Sequence, residues 1–226
     1  MRYPYVMVAT HLRAVVLDLD DTLIASERAR KRAYAALGAD GIDPRQATVV
    51  NARWFDRYHA GECSLEELRT GRWIELGLSP ERALQVDEQY RDHHTHIRPR
   101  RDALRTLQTL RAAGLKLVLL SNAGIDYVRD RVAASRFDGL LDGIVDIAAA
   151  DFKPHPDAFR AALEIAGESP QHTAMVGDNL EADVEGALSV GFGRAVWLTR
   201  RKPHPDSRVI TLRSLADVPS ALLSDK

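Results

Sequence analysis

Ala14-Val15-Val16-Leu17-Asp18-Leu19-Asp20-Asp21-Thr22-Leu23 is the stretch that decides how this chain is read. A short apolar run ends in a cluster of carboxylates at Asp18, Asp20 and Asp21. Like charges a few ångströms apart repel, and burial raises the cost of each. A chain carries such a cluster at the mouth of a buried strand when a solvent shell, or a cation and a reaction, offsets the repulsion. If the segment is extended, Asp18 and Asp20 face the same side. Two carboxylates then converge on one point, where one could attack and the other move a proton.

Outward from that run, further β-rich segments are Leu115–Ser121, Gly143–Ala148, Thr173–Asp178 and Gly193–Leu198, with the first strand over Ala14–Leu19. Most are continuously apolar rather than alternating, which fits strands covered on both faces of a parallel sheet. Helical patterns over Asp102–Ala113, Ile125–Ala134, Pro156–Ala166 and Glu181–Val190 lie between or beside them, with Gly114 and Gly191 at helix ends. The alternation predicts an α/β fold with a doubly wound parallel sheet. Between the first and second strands the rhythm breaks. Ser26–Leu37, Pro44–His59, Ser64–Leu76 and Glu81–His94 all read as helices, punctuated by Gly38, Gly41, Gly61 and Gly77. The expected organisation is a core of residues 1–24 and 98–226 with a helical insertion over 25–97, and Arg98-Pro99 as its return hinge.

Composition bounds the function. With 226 residues, 45% hydrophobic and 28% charged, the chain is globular in character. Lys plus Arg number 31 against 32 for Asp plus Glu, so no global field points to nucleic acid or an anionic membrane. Cys63 is the single cysteine, which excludes an internal disulfide framework and favours a cytoplasmic setting. No apolar stretch is long enough for a membrane span. Residues 1–12 read as a loose lead-in, without the apolar h-region of a signal peptide. The oligomeric state is not legible.

Ligands of a doubly wound sheet bind outside the carboxyl ends of the strands. Four polar sets fall there. Asp18 and Asp20 follow the first strand, and Ser121-Asn122 the second, where a hydroxyl and a helix start offer donors to an anion. Lys153 follows the third, in Phe152-Lys153-Pro154-His155-Pro156, and Asp178 the fourth, with Asp183 beyond it. Carboxylate oxygens without clustered Cys or His select a hard cation, and Mg²⁺ is the natural choice.

The motifs LDLDDTL, LLSNAG, FKPHPDAF and VGDNLEAD, in that order, resemble the haloacid dehalogenase (HAD) superfamily and cover the α/β core. The insertion is similar in position to the C1 cap of subfamily I. Trp54–Leu78, with Tyr58, Gly61, Glu66-Glu67 and Arg72, is similar to nucleotidase-like and N-acylneuraminate-9-phosphatase-like caps. The resemblance implies a Mg²⁺-dependent phosphomonoesterase acting on a small phosphorylated metabolite, a nucleotide or a sugar phosphate. It implies Asp18 as nucleophile, forming an aspartyl-phosphate, and Asp20 as acid and base. Ser121, Asn122 and Lys153 would hold phosphate, and Lys153 would also offset charge on Asp18. Asp178, with the Asp18 carboxylate and the Asp20 carbonyl, would bind Mg²⁺, and Asp183 would support the metal or orient Lys153. Rivals on the same fold are a phosphomutase, a 2-haloacid dehalogenase and a non-catalytic binding protein.

The chain departs from the family pattern in two places. Asp21 stands where many relatives have Gly, and Arg98-Pro99-Arg100-Arg101 lacks the common Pro-Gly. Plainer readings are preferred elsewhere. His93, His94 and His96 read as a solvated helix end rather than a metal site, and Arg200–Asp206 as a surface loop. Cys63 needs no redox role. Trp54, Tyr58 and Trp73 read as helix packing, and Arg28, Lys31, Arg53 and Arg57 as a solvated face.

Overall fold

The computed structural model describes residues 12–36, 41–95 and 97–224. The lead-in up to residue 11, Gly38 and the His93, His94 and His96 side chains lie outside the described residues. The chain divides into two compact units: the first ends at Ile24 and resumes at Pro99, and the second is Ala25–Arg98.

The first unit is built on a parallel sheet of β1 (Ala14–Leu17), β2 (Lys116–Leu119), β3 (Gly143–Ile144), β4 (Thr173–Gly177), β5 (Arg194–Leu198) and β6 (Val209–Leu212). All of its strand pairs are parallel, in the order β3-β2-β1-β4-β5-β6. Every residue of β1 and β4 is buried, as the unbroken apolar runs predict. Of its helices, α5 (Ala103–Ala112) packs on β2, α6 (Ile125–Ala134) follows that strand, α8 (Pro156–Ala166) packs on β2 and β3, and α9 (Gly186–Ser189) on β5.

The sheet order reverses direction between β1 and β4, the topological switch point where such sheets bind ligands. The register sets Leu17 level with Leu119 on one side and Val176 on the other. Residues just beyond these strands therefore leave the sheet at one height. The sequence places Asp18, Ser121 and Asp178 there.

Four elements differ from the sequence expectation. β1 stops at Leu17 rather than Leu19, because the chain turns: the N–H groups of Leu23 and Ile24 both donate to Leu19 O, at 2.9 and 3.0 Å. β3 spans Gly143–Ile144 and gives way to a short helix, α7 (Ile147–Ala150), because the Asp146 side chain accepts from Ala148 N and caps it. β6 is an edge strand with one buried residue, Val209, and the sequence reading leaves it out. The expected helix over Glu181–Val190 is a π-helical turn, Leu180–Glu185, running into α9.

The second unit is helical: α1 (Ser26–Ala36), α2 (Pro44–His59), α3 (Leu65–Glu75) and α4 (Pro80–Thr95). Asp43 caps α2, and Ser64 with Glu67 forms a reciprocal capping box on α3. Its interior holds Tyr34, Trp73 and Tyr90, with ring centroids 5.4 to 6.4 Å apart. Trp73 is thus a packing residue. The Arg72 guanidinium is buried among them, 2.5 Å from Asp87 Oδ1.

Candidate active site

Asp18 leaves β1 with its N–H still donating to Val176 O at 2.9 Å, so the ladder fixes its backbone. Its side chain is buried, and Oδ1 accepts from Lys153 Nζ at 2.7 Å. The same ammonium donates to Asp183 Oδ1 at 2.7 Å. Lys153 therefore bridges two buried carboxylates, whose charges raise its pKa against the opposing pull of burial. Burial pushes the Asp18 carboxyl well above the carboxylate range; Lys153 opposes that push, and Asp183 adds to it. Asp18 Oδ2 is buried and has no hydrogen-bond partner among the described residues.

The position of Lys153 is set from β2. Asn122 lies just past that strand, and its side chain clamps the lysine backbone from both directions. Lys153 N donates to Asn122 Oδ1 at 2.7 Å, and Asn122 Nδ2 donates to Lys153 O at 2.8 Å. The resemblance implies phosphate binding for Asn122, and its side-chain amide also makes this clamp. Ser121 is buried, and its hydroxyl oxygen accepts from Ala123 N at 3.2 Å, which leaves its proton to donate elsewhere. The helix that follows begins at Ile125 with Gly124 at its N-cap, so Ser121 is not the cap.

Asp178 follows β4, and Trp197 on β5 donates its indole N–H to the Asp178 carbonyl at 3.0 Å. Burial, then the Asp183 and Asp21 carboxylates, raise the Asp178 carboxyl to about 6. The π-helical turn brings Asp183 back to the strand end, where its second oxygen accepts from Asn179 N at 3.0 Å. That carboxylate occupies the space a Cβ on residue 177 would need, so only glycine fits there. Both Asp183 oxygens are engaged, by Lys153 and by Asn179. The geometry thus makes Asp183 a brace for Lys153.

Asp20 has a partner of its own on α6. Arg131 on α6 bonds both of its carboxylate oxygens through one nitrogen, at 2.6 and 2.8 Å. Nothing in the sequence marked Arg131 among the other basic residues of its helix; its pairing with a loop residue remote in sequence is a product of the fold. Asp21 adopts φ 60°, the left-handed region that glycine enters freely and Asp tolerates. The departure from Gly at this position therefore keeps the turn.

Asp18, Asp178 and Asp183 each offer an oxygen, all lying within 4.8 Å of one another. The partnerless Asp18 Oδ2 and the upward-shifted Asp178 carboxyl are what a hard divalent cation would satisfy, so these residues fit one. Asp151, His155 and Asp157 form a second group of comparable spacing, but all are exposed. His155 Nδ1 accepts from Asp157 N there and caps α8.

Among known proteins, the phosphoserine phosphatase of Thermus thermophilus is 36% identical over 154 residues, which is 62% of this chain and 59% of that enzyme. That match thus spans less than two thirds of the Thermus protein. The N-acylneuraminate-9-phosphatase of Rattus norvegicus is 27% identical over 212 residues, covering 86% of this chain and 85% of its own. The structure of L-2-haloacid dehalogenase from Xanthobacter autotrophicus superposes with a TM-score of 0.73 at 22% identity, over 94% of this chain and 98% of that one, and shows a shared fold. Residues 12–191 match the haloacid dehalogenase-like hydrolase family, which spans β1 through the Asp183 turn. The chain belongs to the haloacid dehalogenase-like hydrolases.

Proposed function

We propose that this hydrolase is a phosphomonoesterase acting on a small phosphorylated metabolite, with Asp18 as nucleophile. The observation that carries the reading is Asp18 itself: one oxygen bonded to Lys153, the other buried and partnerless beside Asp178. The names of the two phosphatase relatives support a small phosphorylated substrate.

An Asp18 oxygen attacks phosphorus, and the bond from phosphorus to the leaving oxygen breaks as Asp20 gives that oxygen a proton. Water then attacks the aspartyl-phosphate. Asp20 takes a proton from that water, and the bond between phosphorus and Asp18 breaks to release phosphate. Lys153 keeps positive charge against Asp18 throughout, where phosphoryl transfer needs charge stabilisation most. Ser121 has a proton free for a phosphate oxygen, while Asn122 acts by holding Lys153. Mg²⁺, held by Asp18, Asp178 and the Asp20 carbonyl, would supply Lewis-acid charge to the phosphoryl oxygens. The helical unit is the natural source of substrate selectivity, since the core motifs set only the reaction.

The test is phosphate release from p-nitrophenyl phosphate with Mg²⁺ and with EDTA, by parent and Asp18→Asn protein. Release that needs Asp18 and is lost in EDTA is expected. Asp18→Asn protein working at the parent rate, or chloride released from 2-chloropropionate with no phosphatase activity, would overturn the reading. A screen of about a hundred phosphorylated metabolites, ranked by kcat/KM, then names the substrate.

A further inference from the structure

We propose that Arg131 is a positioning residue for the acid–base carboxylate, holding Asp20 in the orientation from which it serves the leaving oxygen. The inference rests on the phosphatase reading above. Asp20 sits on the turn after β1, with its side chain 28% exposed, whereas the Arg131 side chain is 3% exposed. The arginine is thus the more deeply buried partner of the pair. Arg131 lies on α6 beside Val128 and Val132, both buried against the core. Its guanidinium stacks on Tyr127, one turn earlier on the same helix, 3.2 Å from the ring centroid. The cation is thereby held by a packed helix from one side and by both Asp20 oxygens from the other.

Such a contact restrains the carboxylate twice over. One nitrogen shared by two oxygens fixes the direction of the carboxyl group as well as its distance. Proton delivery to a leaving oxygen depends on that direction, because functional groups must be held to within tenths of an ångström and 10–20°. Arg131 ties Asp20 to α6, the helix that follows the segment holding Ser121 and, through Asn122, Lys153. A lysine would keep the charge but lose the planar, ring-stacked geometry.

A leaving-group series separates positioning from plain structural support. Poor leaving groups need the proton and good ones do not. Parent, Arg131→Gln, Arg131→Lys, Tyr127→Leu and Asp20→Asn proteins are compared on dinitrophenyl, p-nitrophenyl and phenyl phosphate, with melting curves for each. Arg131→Gln is expected to lower kcat/KM, which reports the steps up to loss of the leaving group, by about a hundredfold on phenyl phosphate, the cost of misplacing a reacting group. It is expected to lower kcat/KM on dinitrophenyl phosphate by less than about threefold. Arg131→Lys and Tyr127→Leu should shift in the same direction by less, and they carry the test if Arg131→Gln does not fold. In the Asp20→Asn background the Arg131 effect should vanish. An equal loss of kcat/KM across the series would overturn the positioning role while leaving the phosphatase reading intact. A parent protein that hydrolyses none of the esters, or an Asp20→Asn protein with no leaving-group dependence, would overturn both.

Discussion

The Asp183 carboxylate stands where a side chain on residue 177 would begin, so Gly177 and Asp183 share one small volume at the end of β4. Gly177→Ala should push Asp183 off its bond to Lys153 while sparing every charged group in the site. Overpacking of this kind costs about 1–3 kcal/mol. The expected outcome is a lower melting temperature by calorimetry and a fall in kcat of at least about tenfold. Parent-like kcat would show that the brace on Lys153 is dispensable.

Lys153→Met removes an ammonium bonded to both Asp18 and Asp183. Two buried carboxylates then face each other without compensation, and the transferring phosphoryl group loses its partner. A loss of about 10²–10³ in kcat is expected, the range found when one donor to a developing oxyanion is removed. Steady-state phosphate release measures it. Asn122→Ala should reproduce part of that loss with Lys153 still present, because it deletes both bonds of the clamp.

Asp178 supplies a pH dependence with a definite sign. Burial raises its carboxyl from 3.8 to about 6, so between those values the folded chain binds more protons than the unfolded one. Stability from this group is therefore full below its ordinary value and is lost as pH rises through about 6. The ionised form is the one that binds metal. Mg²⁺ affinity should rise about tenfold from about pH 5 to about pH 7, and the gain in melting temperature on adding Mg²⁺ should grow with it. A Mg²⁺ increment that is flat over this range would remove Asp178 from the cation site.

Arg72→Met in the helical unit strands the buried Asp87 carboxylate, which now receives Arg72 at 2.5 Å and the Trp73 indole at 3.3 Å. Breaking a buried pair by removing one partner costs about 3–5 kcal/mol. Replacing both residues by apolar ones should recover most of that. Urea titrations of the single and double variants make the comparison.

The sequence made the sheet legible because β1 and β4 are buried along their whole length and so read as unbroken apolar runs. The order of the motifs gave the strand ends the same clarity. What escaped is tertiary in origin. Val209–Leu212 pairs with β5 at the sheet edge, mostly half-exposed, just past the stretch that reads as a surface loop. Asp146 looked like part of a strand, and its capping bond to Ala148 N ended that strand instead. Arg131 is one basic residue of a mixed helix until the fold brings Asp20 to it. The turn at Asp21 depends on φ, which the identity of the residue only permits.

Ile24 and Pro99 form an antiparallel bridge, and next to it Ala25 N donates to Arg98 O at 3.5 Å. The chain therefore leaves the sheet unit and returns to it through a single neck. Paired residues there lie about 5 Å apart, a gap that a few linker residues span. Excising Ala25–Arg98 would cut no strand of the sheet and detach none of Asp18, Asp20, Ser121, Lys153, Asp178 or Asp183. The helical unit is thus one unbroken length of chain, so a single in-frame deletion would remove it.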